Sequence, residues 1–416
     1  MTTPDRRAPL VTSPADWRGA DLRHRPDRWL YQLAKPEVAE LARAIAHVRS
    51  LGRELRQITT RDFRLEVLAP ALADWFGRLE HGLGFVLVRG FPAREWSRQD
   101  TAIAYWIIGR HLGEPVPQNT AGELLVDVRD TGAAANDHNT RLYRTRAELT
   151  FHTDGADIIG LQCLRAAKAG GVSRICSSVH VYNEIVRRRP DLAPLMFDVY
   201  QHHAHGQFGP TGPPTFPYPI VTLKDKVFRM FLLPWYIRNA AADFPQVARL
   251  SDAQRELLDL LEAIPLEDGV ALDMSFQPGD MQFLKNSVIL HARSDYQDHV
   301  DPDEKRHLLR LWLAARRFRD GDEFLRRGVG QVPVAARART SEALNALPPM
   351  AQSPLSNSLM RTHVTGRMLS PSTSIIAAVT FAMSSCFCFG VKTSLMTSMV
   401  TSGMSCLLQA VSFDFR

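Results

Sequence analysis

A chain of 416 residues, 45% hydrophobic and 23% charged, holds enough apolar material for one large domain or two ordinary ones. A formal net charge of +6 suits small anionic ligands, and with no basic run interleaved with aromatics it gives no warrant for nucleic-acid binding. Five cysteines without paired spacing exclude a disulfide framework and a zinc finger and fit a reducing compartment. The start, Met-Thr-Thr-Pro-Asp-Arg-Arg, has no apolar signal core, so a cytoplasmic location is expected.

Residues 1–35, rich in Pro, Arg and Trp, read as an extended arm, and residues 36–334 as the main domain. Val38, Leu41, Ile45 and Val48 recur at helical spacing, predicting a helix over 36–51, and Leu65, Leu68, Leu72 and Phe76 predict another over 63–82. Gly84-Phe-Val-Leu-Val-Arg-Gly-Phe91 reads as a buried strand, and Ser97 as the N-cap of a helix ending at Leu112. Strands are expected at 124–129, 158–164, 173–179, 271–276, 281–284 and 307–314. A hairpin is expected around Lys224-Asp225, with helices from Ser178 to Arg188 and from Ser251 to Ile264. The polar loop 130–147 lacks periodicity and leads into the next strand, the position of a loop that covers a site. Many strands with helical insertions and flanking helices give an α+β, mainly β class. The architecture this predicts is a double-stranded β-helix, or jelly roll, in which strands of two sheets meet at one mouth.

The chemistry centres on Glu148-Leu-Thr-Phe-His-Thr-Asp154. On an extended strand, side chains two apart share a face, so His152 and Asp154 can act as neighbouring ligands of one metal. The tripeptide alone is common by chance. A distal His291, in Ser-Val-Ile-Leu-His291, supplies the third member of a 2-His-1-carboxylate triad, the arrangement that leaves positions open on a ferrous ion. Downstream, Arg306 and Arg310 lie in an apolar strand-like run. Arg is the side chain suited to fixed, bidentate recognition of a carboxylate.

These residues resemble the Fe(II)/2-oxoglutarate-dependent dioxygenases of the taurine dioxygenase and 2,4-dichlorophenoxyacetate dioxygenase type. The resemblance is carried by Phe151-His-Thr-Asp154, Gly170-Gly171-Val-Ser173, Pro278-Gly-Asp280 with Asn286, His291-Ala-Arg293, and Arg306 with Arg310, and it runs from about Gly84 to about Arg317. It implies Fe(II) held by His152, Asp154 and His291, with 2-oxoglutarate as co-substrate. Arg306 and Ser173 are then expected on the distal carboxylate, and Arg310 either supports that pocket or faces the substrate. The implied reaction takes O2 and hydroxylates an unactivated C–H bond of a small organic substrate, releasing succinate and CO2; Arg310 and the mild positive charge slightly favour a substrate that carries a carboxylate or sulfonate. The same scaffold ending in desaturation or cyclisation, and a non-catalytic jelly-roll binding protein, are the alternatives. Gln118, Asn119 and Asn286 are candidate substrate contacts, with His138, Asn139, Trp235 and Tyr236 chosen by loop position. His202, His203 and His205 lack a clear carboxylate partner and are expected on the substrate side or facing solvent. Neither oligomeric state nor substrate identity follows from the sequence.

Residues 335–416 depart from this pattern. They are rich in Ser, Thr and Met, and from Ala351 onward Asp414 is the only acidic residue. The apolar run 375–391 is diluted by Ser and Thr and is short for a membrane span, so a disordered or poorly packed tail is expected and a membrane anchor is not.

Overall fold

The computed structural model describes residues 8–132, 142–319, 321–323 and 326. Candidate residues His138 and Asn139, much of the loop 130–147, and the whole segment 335–416 lie outside the described residues. Every described residue belongs to one compact unit, within Met1–Ala346.

Two helices near the N-terminus are started by their sequence. Lys35–Ser50 carries Pro36 in its first turn, where a missing N–H costs nothing, and Glu37 accepts the Ala34 N–H at 2.7 Å. The second helix is Ala69–His81, shorter than its apolar spacing predicts, and Pro70 sits in its first turn. The N–H groups of Glu66, Val67 and Leu68 instead donate to the buried carboxylate of Glu40, at 2.7, 2.9 and 2.8 Å. Side-chain capping from another helix thus ends the apolar run's claim to be helical. The third helix, Arg98–Leu112, has the predicted cap, with Ser97 Oγ accepting the Asp100 N–H.

A major sheet runs in the order Leu30–Gln32, Phe85–Arg89, Met281–Lys285, Ile158–Arg165, His307–Ala314, Glu114–Pro115, and Leu125–Val128 also pairs with His307–Ala314. The N-terminal arm is built into this sheet, since Leu30–Gln32 pairs in parallel with Leu87–Arg89. Successive strand residues point to opposite faces. Phe85, Leu87, Ile159, Leu284 and Trp312 enter one hydrophobic cluster, while Val86, Val88, Met281, Phe283, Leu311 and Leu313 enter another with the three helices. A sheet covered on both faces needs continuous apolar strands rather than alternating ones, which is why Phe-Val-Leu-Val reads as a solid run.

A minor sheet, in the order Leu272–Met274, Ser173–Ser177, Ile289–Arg293, Leu149–His152, faces the first cluster through Phe151, Ile175 and Ile289. The helix Ser178–Arg188 is capped by Ser177, whose Oγ accepts the His180 N–H at 2.9 Å, rather than by Ser178. Beyond it, Val199–His203 pairs with Thr215–Pro219. Val221–Lys224 pairs with Val227–Met230 through Asp225 and Lys226, both at positive φ (52° and 64°), so the hairpin forms but its two-residue turn lies one residue later than the expected Lys224-Asp225. An unanticipated helix, Pro234–Asp243, follows, and then Asp252–Ala263, which the structure shows capped by Ser251. Among the described residues no helix is long and apolar enough to cross a membrane.

Candidate metal centre and anion pocket

The two sheets deliver the site. His152 is the last residue of Leu149–His152, and His291 lies directly opposite it in the antiparallel register. Their ring centroids are 4.2 Å apart. Asp154 is brought in by the turn that follows the strand. Its Oδ1 lies 3.9 Å from His152 Nε2 and its Oδ2 3.6 Å from His291 Nε2. All three donor atoms lie within 4.8 Å of one another, and among the described residues this is the group of His and carboxylate side chains arranged to hold a metal ion. Donors about 2.1 Å from a shared ion sit roughly 3 Å apart when neighbouring, so the triad is close to the spacing a bound ion imposes.

The protonation states suit ligation. His152 Nδ1–H donates to the Thr150 carbonyl at 2.7 Å, which turns the Nε2 lone pair toward Asp154 and His291. Burial, with His291 nearby, pulls the His152 pKa down to about 3, so the ring is neutral at neutral pH. Burial alone would raise the Asp154 pKa. The Arg310 guanidinium, with His291, overcomes that and holds the carboxyl well below its usual range.

Asp154 is positioned from both sides. Asn286 Nδ2 donates to the carbonyls of Asp154 and Ala156 at 2.7 and 2.9 Å, and its Oδ1 accepts the Asp154 N–H at 2.9 Å. Asn286 is fully buried, so its amide serves this turn. The Asp154 side chain accepts at Oδ2 from Trp312 Nε1 (2.9 Å) and Arg310 Nη1 (3.3 Å). Partners of a metal ligand orient it, and losing one typically costs 10–100-fold in metal affinity. Trp312→Phe is therefore expected to weaken Fe(II) binding about tenfold with the fold intact, as read by anaerobic titration alongside circular dichroism. Unchanged affinity would show that Arg310 alone suffices.

Arg310 is itself braced by Gln118. Its Nε donates to Gln118 Oε1 at 2.7 Å, and Gln118 Nε2 donates back to the Arg310 carbonyl at 2.9 Å. Tyr143 and Trp312 lie against the guanidinium at 4.7 and 5.0 Å. Gln118 is almost fully buried behind Arg310. Asn119 Oδ1 accepts the N–H groups of Ala121 and Glu123 at 3.1 and 3.3 Å and so serves its own turn.

Next to the triad a cavity is lined by Ser173, His291, Arg293, Arg306 and Arg310, with apolar walls that include Leu161. All three arginines are buried, and among the described residues Arg293 Nε, Arg306 Nη1 and Arg310 Nη2 have no hydrogen-bond partner. Burial lowers the pKa of Arg306, and burial with the charge of Arg306 brings Arg293 down to about 10. Buried, unsatisfied guanidinium donors are costly, and carboxylates are the groups that satisfy them best. Ser173 Oγ also faces this space and donates to Gln282 Oε1 at 3.3 Å. The Gly-Gly turn makes room for Arg306: Gly171 has φ +65°, and a Cβ there would meet Arg306 Nε at 3.0 Å. On the other side of Arg306, at 5.0 Å, is the Tyr296 ring.

Trp235 stands edge-on to His152 with ring centroids 5.5 Å apart and is half-buried. Its neighbour Tyr236 accepts Gln207 Nε2 at 2.7 Å. The sequence signal for Trp312 is its spacing: two residues past Arg310 on one strand, it shares a face with it. Tyr296 and Tyr143 lie in short or irregular segments and carry no such signal.

The histidine cluster is divided by the fold. His203 stacks on His205 at 3.8 Å and approaches Asp243 at 3.7 Å. His202 is not solvent-facing: it is fully buried and stacked on Phe216. Burial lowers its pKa to about 4. Between pH 4 and the unfolded value near 6.5 the unfolded chain binds the extra proton, so this contribution to stability is complete above pH 6.5 and fades as pH falls toward 4. Urea midpoints are expected to drop over that window, with a loss of up to about 3 kcal/mol from this group, and His202→Gln should flatten the drop.

Comparison with known proteins matches residues 47–312 to the Taurine catabolism dioxygenase TauD, TfdA family. That span includes all three triad residues and all three pocket arginines. FR-33289 synthase of Streptomyces rubellomurinus is 30% identical over 310 residues, covering 73% of this chain and 90% of that protein. Taurine hydroxylase-like protein SAT17 of Stachybotrys chartarum is 29% identical over 293 residues, covering 67% and 73%. Among solved structures, asparagine oxygenase in complex with Fe(II), 2S,3S-3-hydroxyasparagine and succinate superposes with a TM-score of 0.55 at 15% identity, over 69% of this chain and 94% of that one. The non-heme iron oxygenase OrfP in complex with Fe and alpha-ketoglutaric acid gives 0.52 at 18% identity, over 72% and 99%. With its His-Asp-His triad beside an arginine-lined pocket, the chain belongs to the TauD/TfdA family and is a dioxygenase dependent on Fe(II) and 2-oxoglutarate.

Proposed function

We propose that this protein hydroxylates a C–H bond of a small anionic substrate, using O2 and converting 2-oxoglutarate to succinate and CO2. The observation that carries this reading is the triad whose His291 lines a cavity together with three arginines that hold unsatisfied donors. We read the two facing sheets as the double-stranded β-helix of the family. His152 and His291 would hold Fe(II) through Nε2, and Asp154 through its carboxylate. When bound, the iron and 2-oxoglutarate supply the oxidising chemistry that inserts one oxygen atom of O2 into the C–H bond.

The chain's own residues do the positioning. Arg306 and Ser173 receive the distal carboxylate of the co-substrate, with Arg306 held against Tyr296 and the Gly-Gly turn. Arg310, in contact with Asp154, stands at the metal end. Asn286, Gln118 and Trp312 fix the ligand turn and Arg310, so Gln118 and Asn286 are positioning residues in this scheme, and Asn119 lies outside it. Trp235 stands against His152 of the triad and is assigned to the substrate. The apolar walls exclude water from the reacting centre.

The test is turnover against a panel of small carboxylates, amino acids, sulfonates and phosphate esters with Fe(II), ascorbate and 2-oxoglutarate. Succinate formation coupled to a product one oxygen heavier than one member of the panel is the expected result. A product lighter by two hydrogens would point to desaturation or cyclisation, and no succinate above the level of Arg306→Gln would contradict an enzymatic role.

A further inference from the structure

The segment that leads into the metal-bearing strand, residues 143–149, is attached to the rest of the domain in an unusual way. Only Thr145 is buried; Arg144, Arg146 and Glu148 are exposed and Tyr143, Ala147 and Leu149 half-buried. It therefore has almost no apolar anchor of its own, and elements of that kind sit at the low end of local stability. Besides the Thr131 N–H on the Arg144 carbonyl and the Arg146–Asp130 ion pair, its attachments run through the anion pocket. Arg293 Nη2 donates to the carbonyl of Thr145 at 3.0 Å and also to that of Ala147. The Tyr296 N–H donates to the Arg146 carbonyl, and the Tyr143 ring lies on Arg310.

Arg293 has two ends with different neighbours. Its Nη2 holds the backbone of this segment, while its Nε is buried, has no partner among the described residues and belongs to the group that lines the cavity. The guanidinium also lies 4.9 Å from the centroid of the Tyr296 ring, which Arg306 approaches at 5.0 Å. Two like charges on one ring repel each other when no anion is between them. A carboxylate entering the cavity removes that repulsion and gives Arg293 Nε an acceptor, and both effects favour the conformation in which Nη2 grips Thr145 and Ala147.

We propose that Arg293 is a positioning residue that couples co-substrate occupancy of the arginine pocket to the ordering of residues 143–149, the approach to His152. The inference rests on the co-substrate reading given above. By reciprocity, an ordered segment strengthens co-substrate binding by the same factor that binding orders the segment.

The experiment is hydrogen exchange of the backbone amides of 143–149, measured anaerobically with Fe(II) alone and with Fe(II) plus saturating 2-oxoglutarate. It is run on the full-length protein, on Arg293→Gln and on Arg293→Lys, and the visible absorbance of the iron chelate in each sample reports whether 2-oxoglutarate is bound. In the wild type, co-substrate is expected to slow exchange in the segment roughly tenfold. In Arg293→Gln, and in Arg293→Lys, which keeps the charge but loses the forked donors, the chelate should form while the slowing shrinks to less than about twofold. Arg293→Lys carries the test if the Gln variant does not fold. Equal slowing in wild type and both variants, or a wild type that forms the chelate with no slowing, overturns the coupling and leaves the co-substrate reading standing. A folded wild type that forms no chelate overturns that reading and this inference with it.

Discussion

Asp154→Ala is expected to abolish Fe(II) binding and to reduce succinate formation by more than about a thousandfold, because the triad loses its only anionic ligand. The same change leaves Arg310 without its carboxylate partner and Trp312 Nε1 without an acceptor. Removing one member of a buried ion pair typically destabilises by about 3–5 kcal/mol, so the variant's thermal midpoint should fall as well. His152→Ala separates the two effects: His152 makes no ion pair with Arg310, and its loss should remove the metal with a smaller cost in stability. A folded Asp154→Ala protein that still binds iron with native affinity would move the metal site elsewhere.

The second large effect falls on the co-substrate. Arg306→Gln is expected to raise the KM for 2-oxoglutarate by roughly a hundredfold or more, since a buried, charge-assisted carboxylate contact is worth about 3 kcal/mol or more when truncated. Iron affinity should stay close to wild type, because Arg306 has no contact with the triad and stands instead against Tyr296 and Gly171. The split between KM and metal affinity is the informative readout. A parallel loss of both would mean that Arg306 acts through the fold rather than on the ligand.

Much of this was legible in the sequence because the signals were local. His152 and Asp154 are two residues apart, the Gly-Gly turn demands positive φ, and the Ser97 cap sits one residue before its helix. Register between distant strands is not local, so the pairing of His291 with His152 had to be inferred from the kind of chemistry that needs both. Side-chain roles set by long-range packing were the least readable. Gln118 looked like a loop residue facing substrate, and only the sheet shows it 192 residues away from its partner Arg310 and almost fully buried against it. Asn286 lies one residue beyond the strand Met281–Lys285, and nothing in its own neighbourhood says that its amide will close the Asp154 turn. The helix Pro234–Asp243 follows a Gly/Pro-rich stretch and a hairpin, and it carries few apolar residues in helical period; burial of Ile237 and Ala240 holds it in place.

Anaerobic addition of Fe(II) and then 2-oxoglutarate to the purified protein, followed by visible absorbance, tests the central assignment most directly. The triad and the arginine pocket together predict a charge-transfer band that appears only with both components, saturates at one equivalent of each, and is absent in His152→Ala. A folded wild-type protein that gives no band would contradict the assignment of His152, Asp154 and His291 as an iron site that receives 2-oxoglutarate.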